Sequence, residues 1–242
     1  MKKRNRFGLI AAVAYATLAT GIIAQQPDRV TALKASIQDG IGKAHQYEWI
    51  ETTTISLKGE EKAQKQNRCY YGADGKVVKV PLDQPPASSA EPAGGGRGNR
   101  RGGGKLKQQI VENKKDDLKE YMGRAAALIQ QYVPPVPAKI QAAKDAGHIK
   151  VNPQTAAGVQ LAISQYLLPG DSLTVDVDPA TSRLVGLAVN SYLDKPEDAV
   201  TLAVQMNTLP DGALYAAQTT LDAKAKNIRV VIRNSGHRPV AR

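Results

Sequence analysis

Residues 172–206 read SLTVDVDPATSRLVGLAVNSYLDKPEDAVTLAVQM, and this stretch decides the fold. In residues 172–178, and again in 199–206, every second side chain is aliphatic. A period of two is typical of a strand that buries one face. Short turns, one of them begun by Asp178-Pro179, separate these runs, and such turns join antiparallel neighbours. The stretch therefore predicts an antiparallel meander and not a parallel sheet.

The same pattern continues on both sides of this stretch. LYAAQTTLD at 214–222 and NIRVVIRN at 227–234 follow it, and VQLAISQYLL at 159–168 precedes it. Far upstream, YEWIETTTISL at 47–57 alternates in the same way and is rich in β-branched residues. Lys58-Gly59 and Asp74-Gly75 then supply hairpin turns. We expect roughly eight or nine strands in one sheet.

Helical spacing appears in two places. Apolar residues three and four apart predict a helix over 28–45, with a stripe formed by Val30, Leu33, Ile37, Ile41 and Ala44. A second helix is predicted over 108–132, ended by the prolines of PPVP, and a shorter one over 137–147. Helices beside an antiparallel meander predict an α+β fold. We expect a curved, open half-barrel sheet whose apolar face the helices cover.

The N-terminus has the order of a secretory signal peptide. MKKRNR is basic, and FGLIAAVAYATLATGIIA is uncharged and ends in small residues. We expect cleavage near Ala24, with 1–24 removed and 25–242 forming a single periplasmic or secreted domain. An uncleaved anchor is the alternative, since 18 uncharged residues nearly span a bilayer. The many alanines, threonines and glycines favour cleavage.

Positive charge is concentrated in one glycine-rich segment. The chain is formally +11; the signal peptide carries four of these charges and five belong to Arg97, Arg100, Arg101, Lys105 and Lys107. The rest is close to neutral, whereas a nucleic-acid module shows a basic face. We expect 83–105, which contains GGGRGNRRGGGK, to be a mobile linker that binds no specific nucleic acid. Those five cations are candidates for peripheral contact with anionic lipid headgroups.

Enzymatic motifs are absent from the sequence. The three histidines lack metal-ligand spacing, and no nucleophile elbow, HExxH or phosphate loop occurs. Asp171, Asp176 and Asp178 are better explained by strand and turn chemistry than by calcium binding. Cys69 is interpreted as a strand residue that packs beside tyrosines, and Glu51 as a polar group at the barrel rim or in a cavity. We therefore expect no enzyme, metal or cofactor.

The order of elements resembles the periplasmic lipoprotein-carrier (LolA-like) superfamily. Its members have a signal peptide, an N-terminal helix, an incomplete antiparallel barrel and helices that plug the open side. The stretch LPDGALYAAQTTLDAKAKNIRVVIRNSGHRP at 209–239 also resembles the ending of uncharacterised exported bacterial proteins. The resemblance implies an apolar ligand held in the concavity. The chain differs from the carriers in lacking phenylalanine after Phe7 and in having the Gly/Arg-rich insertion.

Two binding functions follow from this architecture. In the first, an apolar, lipid-like ligand lies between the sheet and the helices, chiefly the helix at 108–132. Its expected lining residues are strand residues on the apolar face: Trp49, Ile55, Val175, Leu187, Val204 and Val230. In the second, the same residues form a filled core, and the chain is a structural, sensor or adaptor protein of the envelope that binds another protein. The sequence does not separate these two functions.

Overall fold

The computed structural model describes residues 26–82, 103–153 and 158–240. The helices are α1 (Gln26–Ala44), α2 (Gly103–Ile129) and α3 (Pro137–Asp145). The strands are β1 (Tyr47–Leu57), β2 (Glu60–Tyr71), β3 (Val77–Pro81), β4 (Ile149–Pro153), β5 (Val159–Ser164), β6 (Ser172–Asp178), β7 (Arg183–Tyr192), β8 (Ala199–Thr208), β9 (Leu214–Ala223) and β10 (Ile228–Pro239). A single 3-10 turn, Lys224–Lys226, joins the last two strands.

All ten strands form one antiparallel sheet in the order β3-β2-β1-β10-β9-β8-β7-β6-β5-β4. The first and last strands are neighbours within the sheet: β1 pairs with β10 from Tyr47 opposite Pro239 to Leu57 opposite Ile228. Among the described residues, β3 and β4 each have one strand neighbour, so the sheet is open. The predicted α+β class, an open antiparallel sheet accompanied by helices, is confirmed.

One row of aliphatic side chains crosses eight strands and explains why the sheet has a buried face. Strand register places the members of this row directly opposite one another from β1 to β4. The row is Ile55, Val230, Leu221, Leu202, Val189, Leu173, Ile163 and Ile149. Since residues directly opposite one another in a sheet share a face, this register puts all eight side chains on the same face.

The C-terminal half of α2 fills one part of this face. Ala125, Leu128, Ile129 and Tyr132 pack with Ala143 of α3 and with the inner residues of β5–β8. Tyr132, Ile163 and Leu173 are 0 % exposed, so this interface is a filled core. A smaller cluster of Tyr121, Ala223 and Ile228 continues it, with Val230 packed at its edge.

Helix α1 covers the neighbouring part of the face, against β7 and β9. Gly40 permits the close approach: a Cβ atom there would lie 2.7 Å from Leu214 Cβ. Gly40 and Ala44 are buried, but Ile41 is 46 % exposed, so the predicted stripe is wrong at that position. Helix α1 lies so close to β9 at this point that only small residues fit between them, so Gly40 and Ala44 face the sheet and Ile41 does not.

Strand β4 is absent from the sequence prediction. It is a five-residue edge strand with four exposed residues, so it contributes little to the alternating signal. Helix α2 begins at Gly103, five residues before the predicted start at 108. The loop expected over 83–105 lies outside the described residues as far as 102.

Candidate functional site

The structure distributes the six expected lining residues over three environments. Leu187 belongs to the filled core, and Val175 and Val204 pack against it. Val230 packs on the smaller cluster, and its partner across the β1–β10 pairing, Ile55, is half-buried. Trp49 lines a separate cavity.

The cavity lies between the C-terminal end of α1 and strands β1, β2, β9 and β10. It has a volume of about 130 Å³ and is partly open. It is beside α1 and not beside α2, where an apolar ligand was expected and where the core is filled. Aromatic and small apolar side chains form most of its wall: Ala44, Tyr47, Trp49, Tyr71, Leu209, Ala213, Tyr215, Ala216, Asn234 and His237.

A bulge in β10 brings His237 to this cavity. The β1–β10 register shifts between Glu48 and Ile50, so Gly236 and His237 together oppose Trp49. Gly236 has a φ of 62°, the left-handed conformation that glycine adopts at low cost and that such bulges use. Bulges redirect side chains, and here the imidazole lies 6.1 Å from the indole of Trp49, centroid to centroid.

The rings form a continuous series. The Tyr71 ring lies 5.4 Å from Trp49, and the Tyr215 ring lies 4.0 Å from His237. On its other side Tyr71 stacks on His45 at 4.1 Å. Burial lowers the pKa of His237 and raises that of Tyr71. Both rings are therefore neutral at pH 7, and the cavity wall carries no positive charge.

Two buried polar atoms of the lining residues have no hydrogen-bond partner among the described residues: Trp49 Nε1 and Asn234 Oδ1. The Asn234 amide N–H donates to the Ala216 carbonyl at 2.8 Å, which fixes the orientation of its oxygen. Beside the cavity, the Tyr47 hydroxyl donates to Asp211 at 2.9 Å. The Ala213 N–H, followed by this hydroxyl, lowers the pKa of Asp211, so Asp211 is an anion at pH 7.

Glu51 lies on the same strand face but does not line the cavity. Its two carboxylate oxygens each accept a hydrogen bond of 2.7 Å from Lys79, and Asn67 donates to one of them at 3.4 Å. Cys69 is 0 % exposed beside this pair, and burial is the main cause of the raised pKa of its thiol. A buried, protonated thiol is a poor nucleophile, so this cluster is structural.

The aspartates considered for calcium have separate hydrogen-bonding roles. Asp171 is buried and accepts from three backbone N–H groups and from the Tyr132 hydroxyl. Asp176 accepts from Gln160, and Asp178 accepts from the turn that follows it. Across the described ranges, no three His, Cys, Asp or Glu side chains gather as a metal site would require.

The proposed headgroup contacts are not part of the described site. Arg97, Arg100 and Arg101 lie outside the described residues, and Lys105 and Lys107 fall in the first turns of α2. The predicted signal peptide, residues 1–24, also lies outside them. In the part of the chain that the structure covers, no helix has the length and apolarity to cross a bilayer.

Sequence reasoning found Trp49 but missed Tyr71, Tyr215 and His237. Tyr71 and Trp49 could have been linked through the hairpin, because Trp49 pairs with Cys69 and residues two apart share a face. His237 required the bulge at Gly236, and Tyr215 required the order of β9 and β10 in the sheet. These two residues are far from Trp49 in the sequence, and no local pattern connects them.

No protein-family model matches the chain, and no curated protein does. Two solved structures are similar to it. One, a DUF1329 family protein from Desulfovibrio piger, has 13 % identity and a TM-score of 0.39, with 86 % of this chain and 92 % of that chain covered. The other, a LolA superfamily protein from Nitrosomonas europaea, has 8 % identity and a TM-score of 0.34, with 85 % and 94 % covered. Each likeness extends over most of both chains.

Proposed function

We propose that this chain is an exported envelope protein that binds an apolar ligand, without catalysing a reaction, in the cavity between α1 and the sheet. The observation that supports the proposal is the cavity at Trp49. Small-molecule sites are concave and mainly apolar, with a few polar groups that fix orientation. The ring-lined wall and the Asn234 amide fit that description.

The size of the cavity limits what enters it. An apolar cavity of about 150 Å³ in another protein accommodates benzene. A volume of about 130 Å³ therefore holds one ring, a short branched group or the end of a chain. A longer ligand would leave the rest of its length at the opening. A lipid-like ligand would therefore place only one end in the cavity.

Export is part of the proposal, and it rests on the order of residues 1–24. A basic segment followed by an uncharged one and then by small residues is the pattern that signal peptidase recognises. N-terminal sequencing of protein recovered from the periplasm of a Gram-negative host should start near Gln25. Recovery in the membrane fraction with Met1 retained would refute cleavage.

Native mass spectrometry of the exported protein tests ligand binding. We expect a bound species of constant added mass, lost in Ala216→Leu, because Ala216 lines the cavity and a larger side chain fills it. Ala203→Leu is the matched control, since Ala203 is an exposed alanine of the neighbouring strand β8 and does not line this cavity. Absence of any bound species in the wild type would refute the proposal.

The filled core under α2 supports a second candidate, an adaptor protein of the envelope. Tyr132 and Leu173 occupy the space that a carrier would keep open there. An adaptor would show no bound small molecule and would instead capture a defined envelope protein on crosslinking in the periplasm. In that case A216L would leave the crosslinked species unchanged, because filling this small cavity leaves the rest of the outer surface as it is.

A further inference from the structure

Five of the ten side chains that line the cavity carry aromatic rings. Trp49, Tyr71, Tyr215 and His237 are joined by centroid distances of 4.0 to 6.1 Å, and Tyr47 completes the wall. The face of an aromatic ring carries partial negative charge, and cations within about 6 Å of a ring centroid are attracted to it. An enclosure of several rings is the arrangement by which proteins recognise methylated ammonium groups.

The charges near the cavity favour a cation. No lysine or arginine is among the lining residues, and the one basic side chain there, His237, is neutral at pH 7 because of its burial. Asp211 is anionic and is bonded to the neutral hydroxyl of Tyr47. The nearby Lys43 is already paired with Asp39 at 2.7 Å. Of the three charged groups at this end of α1, Asp39, Lys43 and Asp211, two are negative and one is positive.

The unpaired polar atoms of the lining residues also favour a cation. Asn234 Oδ1 is an acceptor without a partner, and a partial negative charge beside a ring enclosure stabilises a cation. An anionic ligand would be repelled by Asp211. A neutral hydrocarbon would leave Asn234 Oδ1 unpaired and would gain nothing from Asp211.

We propose that the cavity binds the methylated ammonium group of a small organic cation, such as the trimethylammonium group of choline. This inference rests on the proposed function, because it assigns the group that enters the same cavity. A trimethylammonium group is smaller than the volume of about 130 Å³ and is apolar on its surface. The same chemistry occurs in the free cation and in the head group of a phosphocholine lipid.

A matched pair of ligands tests the role of charge. Choline and 3,3-dimethyl-1-butanol have the same shape, but only choline is charged. Trp49 is the single tryptophan of the chain, so its fluorescence reports on this cavity during titration of the full chain. We expect choline to bind at least about tenfold more tightly than the neutral alcohol, because several ring faces and Asp211 act on its charge.

Each outcome has a separate meaning for the two proposals. Equal affinities for choline and the alcohol would overturn the cationic assignment and leave the apolar cavity of the proposed function intact. No response to either ligand would overturn the cationic assignment, and binding of a neutral chain such as 1-decanol would then decide the proposed function separately. With choline favoured, tighter binding of dodecylphosphocholine below its micellar concentration would assign the lipid head group, and equal binding would assign the free cation.

Two variants separate charge recognition from loss of folding. Tyr215→Leu removes one ring face but keeps an apolar wall, and it should weaken choline binding about fivefold or more without affecting the alcohol. Tyr70→Leu is its control, because Tyr70 lies on the other face of β2 from Tyr71. If Y215L does not fold, Asp211→Asn tests the same point at an exposed residue. Unchanged choline affinity in D211N and in a folded Y215L would contradict the proposal.

Discussion

Replacing Asp171 by asparagine should destabilise the filled half of the core. The carboxylate is 2 % exposed and holds the loop between β5 and β6. One of its oxygens accepts the Tyr166 N–H at 2.7 Å. The other accepts the N–H groups of Leu167 and Leu168 at 2.9 and 2.6 Å, and the Tyr132 hydroxyl at 2.5 Å. All four groups are donors, so both oxygens must be acceptors.

The magnitude follows from that count. The Asn side chain of D171N has one acceptor oxygen, and its NH₂ group must face at least one donor. A buried donor left without an acceptor costs about 1–3 kcal/mol, and the remaining bonds weaken because their acceptor is no longer charged. We expect the free energy of unfolding to fall by about 2–4 kcal/mol. That is a large fraction of the roughly 5–15 kcal/mol by which domains are stable.

Urea denaturation followed by circular dichroism measures this change. The midpoint should shift to lower urea, and an unchanged slope would show that the native and denatured states keep their compactness. Asp178→Asn is the matched control, because Asp178 accepts comparable local bonds in an exposed turn where water can replace them. A loss in D171N no larger than in D178N would refute the argument that the carboxylate supports the core.

Three further predictions follow from other contacts. Gly40→Ala should destabilise the protein by about 1–3 kcal/mol, because an added Cβ has no room against β9. Gly42→Ala should stabilise it by about 0.4–1 kcal/mol, because no atom lies within 4 Å of an added Cβ there. Thermal unfolding of the two variants and the wild type measures both changes. Lys79→Met should lower the free energy of unfolding by about 1–3 kcal/mol, because the Glu51 carboxylate would stay buried without its cation. Adding Glu51→Gln to this variant should recover most of the lost stability, as measured by urea denaturation. Burial lowers the pKa of folded His237 below its unfolded value of about 6.5, so the unfolded chain binds this proton more readily and stability falls as the pH drops below that value. The variant His237→Phe should lose this part of the pH dependence. A parallel decline of stability with pH in the variant and the wild type would contradict the prediction.

Alternation alone predicts most strands of this fold. The bounds of β1 and β6 match the sequence prediction, because each has a period-two pattern that ends at a turn signal. Strand β4 escaped prediction because an exposed edge strand needs no apolar face of its own. The helix stripe failed at Ile41 because close packing of α1 on β9 places glycine inward, and propensity carries no information about that distance.

The candidate site was predictable only in part. Trp49 was found because it occupies an inward position of a clear strand. Its partners were missed because they converge through sheet register: Tyr71 through the hairpin, Tyr215 through the neighbouring strand, and His237 through the bulge at Gly236. Register over such separations depends on the whole sheet. The helices also decide which part of the sheet face is a filled core and which part borders the cavity, and the strand pattern does not predict where the helices lie.

Quenching of Trp49 fluorescence by acrylamide tests most directly whether the cavity is a ligand site. The protein would be stripped of bound molecules, and quenching would be measured with and without saturating 1-decanol. Because Trp49 lines the cavity, we predict that 1-decanol lowers the quenching constant of the wild type and of A203L but not of A216L, whose cavity is filled. A quenching constant that 1-decanol leaves unchanged in the wild type would contradict the account.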